Sequence, residues 1–296
     1  MKSIVKKAAP ILVTGSHRSG STWVGEVLAS APGVFYVHEP LNPTFSPHYL
    51  GAEGLPYFYQ ISPSDEEVFH TAFDRLLSGR FPRLDTHFFR PERRYATRYL
   101  HAVTFRWAAL RRKRILLKDP FALFNVRWIE RHYATRTVLL LRHPCAFVAS
   151  LKVKNWTFDF RQWTEQPTLL EGPLASFRPQ IEAAALQPPD IVEQGCLLWN
   201  CLTRETLALS KDNPEQRLLR RHEDLCTDPE TAFRKLFHEL DLAWTPSTQR
   251  FLLREAVSSG RPRENLLTSW KQRLDATEIR RVQTATAPLA ESLYPA

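Results

Sequence analysis

Residues 15–23 have the composition and spacing of a loop that binds a phosphate group. They read Gly-Ser-His-Arg-Ser-Gly-Ser-Thr-Trp and follow the apolar run Ile11-Leu12-Val13. A glycine-bounded loop between a strand and a helix directs backbone N–H groups and the positive end of the helix toward an anion. The spacing matches the phosphate loop of nucleoside triphosphatases, except that Ser21, where we expect the helix to begin, replaces the lysine. Because that lysine contacts the β- and γ-phosphates, and Arg18 lies inside this loop instead, the pattern favours a nucleotide with a shorter 5′ group.

Arg142 and Ser150 form a second candidate site for a phosphate group. Arg142 follows the apolar run Val138–Leu141, and Ser150 comes eight residues later. Arg142 is expected at the carboxyl end of a strand, where open parallel sheets bind ligands, and Ser150 about two turns along the next helix. Both side chains could contact one phosphate group, although an arginine at a strand end is by itself more often part of a surface ion pair.

Strands that end at one edge of a sheet would position these residues. Five short apolar runs are each followed by a longer segment, and this alternation is typical of an α/β fold with a central parallel sheet flanked by helices. Two helix starts are marked by caps, Asp228 before Pro229 and Asp275 three residues before Glu278. We find no repeat or linker, so residues 1–296 are expected to form a single domain. The runs are Ile11–Val13, Val34–Val37, Ile115–Leu117, Val138–Leu141 and Arg217–Leu219.

Residues 156–190 interrupt this alternation. Five prolines are interleaved there with tryptophan and phenylalanine, which predicts an irregular insert. The aromatic residues either pack the insert against the rest of the domain or form a lid over an acceptor site.

Residues 80–114 carry the excess positive charge of the chain. The whole sequence has 40 lysines and arginines against 31 aspartates and glutamates, and this segment alone has eleven basic and two acidic residues. One interpretation is a solvated helix from about residue 91 to 113 with its aromatic stripe facing inward. The other is a surface that attracts a large acidic acceptor such as an anionic polysaccharide. The stripe consists of Tyr95, Tyr99, Val103 and Trp107.

The composition excludes several classes of protein. No apolar run approaches the roughly 20 residues of a membrane-spanning helix, and the apolar part of the basic amino terminus is too short for a secretory signal. We therefore expect a cytoplasmic protein without a membrane span. The four cysteines show no metal-binding spacing, so we expect reduced, buried thiols and no metal site.

The sequence from Ile11 to about Leu293 resembles the sulfotransferases that use 3′-phosphoadenosine 5′-phosphosulfate (PAPS). The resemblance implies a P-loop-like sulfotransferase fold in which the loop described above holds the 5′-phosphosulfate. The tryptophan that ends the loop would lie against the adenine. The donor-binding residues implied in this segment are Arg18, Ser19, Gly20, Ser21, Thr22 and Trp23.

Three later segments resemble other parts of the donor site. Arg142 and Ser150 match the family's 3′-phosphate pair. His222 occupies the tyrosine position of a Tyr-Glu-Asp-Leu segment that approaches the adenine. Arg263 matches the first arginine of the late Arg-Lys-Gly loop, whereas the two residues after it differ from the family's pattern.

The resemblance also bears on the catalytic base. The cytosolic members place a histidine just after the third strand, where this sequence has Lys118-Asp119-Pro120-Phe121. His38-Glu39-Pro40-Leu41 instead resembles the Glu-Pro element of carbohydrate sulfotransferases and the glutamate-base element of protein-tyrosine sulfotransferases. We therefore predict Glu39 as the base, with Asp119 and His38 as alternatives.

The implied reaction is an in-line transfer of the sulfuryl group from PAPS to an acceptor hydroxyl, with adenosine 3′,5′-bisphosphate (PAP) as product. Arg18 and Lys118 would neutralise the charge on the leaving oxygen, and no metal is required. The expected acceptor is a carbohydrate or another alcohol, with an acidic carbohydrate as one candidate. Two alternatives remain: a P-loop nucleotide kinase, which Ser21 disfavours, and a non-catalytic basic protein that binds nucleotides or nucleic acid. The second leaves the motifs around Arg142, His222 and Arg263 unexplained, so we expect no nucleic-acid partner.

Overall fold

Five parallel strands form a sheet with the spatial order β2-β3-β1-β4-β5. The computed structural model describes residues 8–78, 103–258 and 267–294. All four strand pairs are parallel, and in the centre Val13 of β1 lies opposite Lys118 of β3 and Val138 of β4. The strands are β1 (Ile11–Gly15), β2 (Val34–His38), β3 (Arg114–Lys118), β4 (Arg136–Leu141) and β5 (Arg217–Arg221).

Helices cover both faces of this sheet, so the predicted α/β class with a central parallel sheet is confirmed. The two longest described helices, α10 and α14, pack against each other. Short 3-10 helices cover Pro120–Asn125, Ala175–Phe177 and Ser269–Gln272. The α-helices are α1 (Ser21–Ala29), α2 (Ser46–Tyr49), α3 (Glu66–Leu77), α4 (residues 103–110), α5 (Val126–Tyr133), α6 (Pro144–Lys154), α7 (Arg161–Thr164), α8 (Pro167–Glu171), α9 (Arg178–Leu186), α10 (Ile191–Asp212), α11 (His222–Thr227), α12 (Pro229–Glu239), α13 (Pro246–Ser258) and α14 (Ala276–Leu293).

The strand sequences explain the two apolar layers. Every residue of β1 is buried, and its side chains alternate between the faces of the sheet. Ile11 and Val13 belong to the layer under α1 and α12, whereas Leu12 belongs to the layer under α6 and α10. Strands that are buried on both faces have continuous apolar sequences, which is why these runs were recognisable.

Both predicted helix caps are present. The Asp228 carboxylate accepts the backbone N–H of Thr231 at 3.2 Å at the start of α12. At the start of α14, Asp275 and Glu278 form a reciprocal capping box. These side chains satisfy N–H groups that the first helical turn leaves without a partner.

The insert over residues 156–190 is helical rather than irregular, so that prediction is wrong. Prolines stand in the first turn of α8 and α9, where the missing N–H costs no helical hydrogen bond. Phe158, Phe160 and Trp163 are fully buried. Packing against the domain is therefore the outcome for these three aromatic residues.

The basic segment is described only from residue 103, and the predicted residues Tyr95 and Tyr99 lie outside the described ranges. Within α4, Val103 and Trp107 are each 46% exposed, so the prediction that they face inward is wrong. The buried side of α4 is formed by Phe105 and Ala108, because the Phe105 ring packs edge-on against the ring of Phe35 at 4.7 Å.

The next observations concern the cysteines, membrane-spanning helices and metal-binding groups, and they apply to the described ranges. The four cysteines fall inside those ranges and are all buried thiols. In the described part of the chain, no helix has the length and apolar character needed to cross a bilayer. Over the same residues, no group of three histidine, cysteine, aspartate or glutamate side chains is arranged to hold a metal ion.

Candidate active site

The carboxyl ends of the five strands bring most of the predicted site residues to one edge of the sheet. The phosphate loop follows β1, Glu39 follows β2, and Lys118 is the last residue of β3. Arg142 and His222 come directly after β4 and β5. A cavity of about 690 Å³ opens at this edge. Its lining consists of His17, Arg18, Gly20, Ser21, Thr22, Trp23, Glu26, Glu39, Asn42, Tyr57, Pro120, Phe121, Arg142, Lys154 and Trp156.

The loop between β1 and α1 has the geometry of an anion site. Gly20 has a φ of 87°, and α1 begins at Ser21 as predicted. A β-carbon at position 20 would overlap the imidazole of His222, so glycine is required there for both conformation and space. The Ser19 hydroxyl and Arg142 Nε are buried without a hydrogen-bond partner in the described part of the chain. Buried polar atoms are rarely left unpaired, so this loop fits an anionic ligand.

Arg18 contacts both Ser150 and Arg142, although the resemblance assigns Arg18 to the 5′-phosphosulfate and the other two residues to the 3′-phosphate. Arg18 Nε donates to the Ser150 hydroxyl at 3.0 Å. Arg142 Nη1 donates to the backbone carbonyl of Arg18 at 2.5 Å. Burial lowers the pKa of Arg142, and the nearby positive charge of Arg18 lowers it further, against an opposing contribution from Glu223. A bound phosphate group would relieve the repulsion between the two guanidinium groups.

Trp23 and His222, the two residues that the resemblance assigns to the adenine, lie close together. Their ring centroids are 6.0 Å apart in an edge-to-face arrangement, and Trp23 also packs against Phe233 at 5.0 Å. Burial, assisted by the charge of Arg142, lowers the pKa of His222 to about 3. The imidazole is therefore neutral at physiological pH. Arg263, the remaining predicted donor ligand, lies outside the described residues.

Glu39 and Lys118 form an ion pair at the ends of β2 and β3. Lys118 is fully buried, and its ammonium group contacts Glu39 Oε1. Asn42 Nδ2 donates to the other carboxylate oxygen at 2.5 Å. The side-chain oxygen of Asn42 accepts the backbone N–H of Thr44 at 2.9 Å, which orients the side-chain amide. The carboxylate is thus held on both sides while Glu39 still lines the cavity.

The two alternative bases are placed differently. Asp119 is buried at 1% exposure, and its two oxygens accept the backbone N–H groups of Leu41 at 2.5 Å and Phe121 at 2.9 Å. Burial raises the pKa of Asp119 to about 7. His38 Nδ1 lies 3.2 Å from the Tyr36 hydroxyl, and burial followed by the charge of Lys118 lowers its pKa. Of the three candidates, Glu39 is the one among the described lining residues of the cavity.

Sequence reasoning missed several residues of this site. Gly25 allows β3 to approach α1, because a β-carbon there would lie 2.9 Å from Lys118 Cγ. Asn42, Tyr57 and Trp156 line the cavity although they belong to none of the motifs. His17 lies inside the phosphate loop, but the sequence motifs assign it no role. Two local signals were available in the sequence: Gly25 within the predicted helix after the loop, and the aromatic residues of the insert, which include Trp156.

The comparisons with known proteins agree with this architecture. A profile described as "Sulfotransferase family" matches residues 10–246. The sulfotransferase domain from the curacin biosynthetic pathway is 15% identical, with a TM-score of 0.52 and coverage of 95% of this chain and 98% of that chain. The sulfotransferase domain of the Synechococcus PCC 7002 olefin synthase is 18% identical, with a TM-score of 0.50 and coverage of 97% and 96%. A search of curated protein sequences found no match. At these identities the structural likeness concerns the fold alone.

Proposed function

Because the chain belongs to the sulfotransferase family, we propose that it transfers the sulfuryl group of PAPS to a hydroxyl group of a carbohydrate or another alcohol. The observation that carries this proposal is a shared cavity: the phosphate loop and Glu39, which is paired with the buried Lys118, both line it. A donor phosphate and an acceptor hydroxyl can therefore meet between an anion site and a carboxylate.

We assign the donor's 5′ end to the loop between β1 and α1. We assign its 3′-phosphate to the segment from the end of β4 into α6. The loop amides, Arg18 and the Ser19 hydroxyl would hold the 5′-phosphosulfate. Arg142 and Ser150 would hold the 3′-phosphate, with Arg263 as a further predicted ligand. The Ser19 hydroxyl and Arg142 Nε, which have no hydrogen-bond partner among the described residues, support this assignment. The remaining residues assigned to the donor are Gly20, Ser21, Thr22, Trp23 and His222.

We assign the proton transfer to Glu39. Its carboxylate takes the proton of the acceptor hydroxyl as the acceptor oxygen bonds to sulfur. At the same time the bond between sulfur and the 5′-phosphate oxygen breaks, and its electron pair stays on that oxygen. Arg18 and Lys118 supply the positive charge that stabilises the oxygen. All the charges in this scheme come from side chains, so we expect transfer to continue in the presence of EDTA.

Binding measurements separate this proposal from the two alternatives. PAP, ATP and single-stranded DNA are each added to the full chain, and the melting temperature is recorded. Stabilisation by PAP but not by the others is expected. Stabilisation by ATP alone would indicate a kinase, and stabilisation by DNA alone would indicate a nucleic-acid-binding protein.

Transfer of labelled sulfate from PAPS tests the activity itself. The acceptors are polysaccharides, glycolipids, phenols and alkyl alcohols, each at saturating donor. Labelled product with at least one acceptor is expected. A protein that binds PAP but labels none of them would contradict the proposed reaction for these acceptor classes.

A further inference from the structure

One side of the cavity, beside Glu39, is lined by aromatic rings. The Tyr57 ring lies 5.8 Å from the Trp156 ring and 5.0 Å from the Phe121 ring. Tyr57 and Trp156 are both partly exposed. The Tyr57 backbone N–H donates to the Gln162 side chain at 2.7 Å, which ties this part of the cavity to α7. We call Tyr57, Phe121 and Trp156 the aromatic wall.

The charges around the aromatic wall do not suit a polyanion. Lys118 is already paired with Glu39, and Arg18 and Arg142 lie on the side assigned to the donor. Among the lining residues that the structure describes, Lys154 is the one further cation. The described part of the lining therefore favours an acceptor unit without a negative charge.

His17 adds a polar group to the same side. Its imidazole lies 4.1 Å from the Trp156 ring and is 5% exposed, and neither ring nitrogen has a hydrogen-bond partner within the described ranges. Burial, followed by the charge of Arg18, lowers the pKa of His17 to about 3. The neutral ring offers one donor and one acceptor, as a hydroxyl group does. Because buried polar groups nearly always have partners, the ligand is expected to supply them.

We propose that the acceptor unit is an uncharged sugar ring that packs its apolar face on Trp156 and Tyr57 and presents its hydroxyls to Glu39 and His17. This inference rests on the proposed function and narrows its acceptor class. A sugar ring combines a flat C–H face with a polar rim, which matches an aromatic wall whose Trp156 packs against His17. A simple phenol or alkyl alcohol has a single hydroxyl, which would face Glu39 and would leave His17 without a partner.

An acceptor series with labelled PAPS tests the sugar class. The probes are neutral disaccharides (lactose, maltose and N,N′-diacetylchitobiose), a heparosan-derived anionic disaccharide, 4-nitrophenol and 1-hexanol. We expect at least one neutral disaccharide to have the highest kcat/KM. A higher value for 4-nitrophenol, 1-hexanol or the anionic sugar would overturn the inference while leaving sulfuryl transfer intact.

Variants of the aromatic wall test where the sugar ring of the acceptor packs. Trp156→Leu is expected to raise the KM of the best sugar roughly tenfold, with a smaller effect on kcat, because it removes the stacking surface. Trp156→Phe should restore much of the affinity. Trp244→Leu is the matched control, since Trp244 is also partly buried but packs on Phe237, outside the cavity lining.

His17 is tested in the same series. His17→Phe keeps a flat ring but removes both polar atoms, and it should raise the sugar KM about threefold to tenfold. His17→Asn keeps a donor and an acceptor and should recover part of that loss. The stabilisation by PAP should persist in the Trp156 variants, because Trp156 is not among the residues assigned to the donor. Unchanged sugar KM values in both Trp156→Leu and His17→Phe would overturn the inference, whereas failure of PAPS to support any transfer would instead reject the proposed function.

Discussion

Glu39 occupies an unusual backbone conformation for the residue we propose as the base. Its φ is 50°, in the left-handed region that costs a side-chain-bearing residue roughly 1–2 kcal/mol. The following Pro40 further restricts this position. The conformation is fixed because the Glu39 N–H donates to the Lys118 carbonyl at 2.7 Å, and the Lys118 ammonium contacts the carboxylate. The same neighbour thus holds both the backbone and the side chain of Glu39.

Gly25 is predicted to position Lys118. A β-carbon at this site would lie 2.9 Å from both Lys118 Cγ and Tyr36 Cε2, so Gly25→Ala must displace one of them. We expect kcat to fall about 10- to 100-fold with little change in PAP binding, because charge stabilisation by Lys118 is lost during transfer and not during donor binding. Steady-state kinetics and PAP thermal shifts measure the two effects.

Gly195→Ala provides the control for a glycine in a helix. It lies in α10, where a β-carbon would meet Val148 at 3.1 Å and would not approach the Glu39–Lys118 pair. Near-normal kcat in Gly195→Ala and a loss in Gly25→Ala are expected. Equal kcat values in the two variants would show that Gly25 does not position Lys118 for catalysis.

The pKa of His17 predicts how stability changes with pH. Burial lowers this pKa from its ordinary value of 6.5 to about 3, so between these pH values the unfolded chain binds a proton and the folded chain does not. Stability is therefore complete above pH 6.5 and falls as the pH decreases. For this single group the loss from pH 7 to pH 5 is about 2 kcal/mol.

Comparison with His17→Asn isolates this contribution. Other groups titrate in both proteins, including Asp119, whose pKa is raised to about 7 by burial and so acts in the opposite direction. Urea unfolding at pH 7 and pH 5 should show the wild type losing about 2 kcal/mol more than His17→Asn. Parallel losses would mean that His17 is protonated in the folded protein.

The helical insert contributes to stability through its aromatic core. Trp163 of α7 is fully buried and lies 4.8 Å from the Phe158 ring and 6.1 Å from the Phe58 ring. Trp163→Ala is expected to reduce the free energy of unfolding by about 3–5 kcal/mol, because it leaves a large cavity. Trp107→Ala is the matched substitution on α4, where the side chain is 46% exposed, and should cost less than about 1 kcal/mol. Similar losses in the two variants, measured by urea unfolding, would contradict this account of the insert.

The elements that sequence analysis predicted well are those whose signals are local. Strands buried on both faces and the glycine-bounded loop after β1 are recognisable from a few neighbouring residues. The contacts of Asn42 with Glu39 and of Gly25 with Lys118 could not be predicted, because they depend on how the strand ends and α1 meet. The side of α4 that faces the domain was predicted wrongly for a related reason. The apolar residues of α4 fit more than one helical face, and packing of Phe105 on Phe35 decides which face is buried.

At the scale of the whole molecule, residues 111–113 of the basic segment and the cavity lie at opposite edges of the sheet. Residues 111–113 precede the amino end of β3, whereas Lys118 and the cavity are at its carboxyl end. This part of the basic segment therefore does not line the cavity, and the positive charge at the site comes from Arg18, Lys118, Arg142 and Lys154. Six of the eleven basic residues of the segment lie outside the described ranges, so this separation is established only for its carboxyl-terminal part.

The most direct test of the account is labelled sulfate transfer from PAPS by Glu39→Gln, beside the wild type and Glu53→Gln. Glu53 is an exposed glutamate that also follows β2, so it controls for the loss of a carboxylate. We expect Glu39→Gln to lose about 10²- to 10⁴-fold in kcat, the usual contribution of a general base, while PAP still raises its melting temperature. Near-normal transfer by Glu39→Gln would contradict the proposed mechanism and move the base to Asp119 or His38.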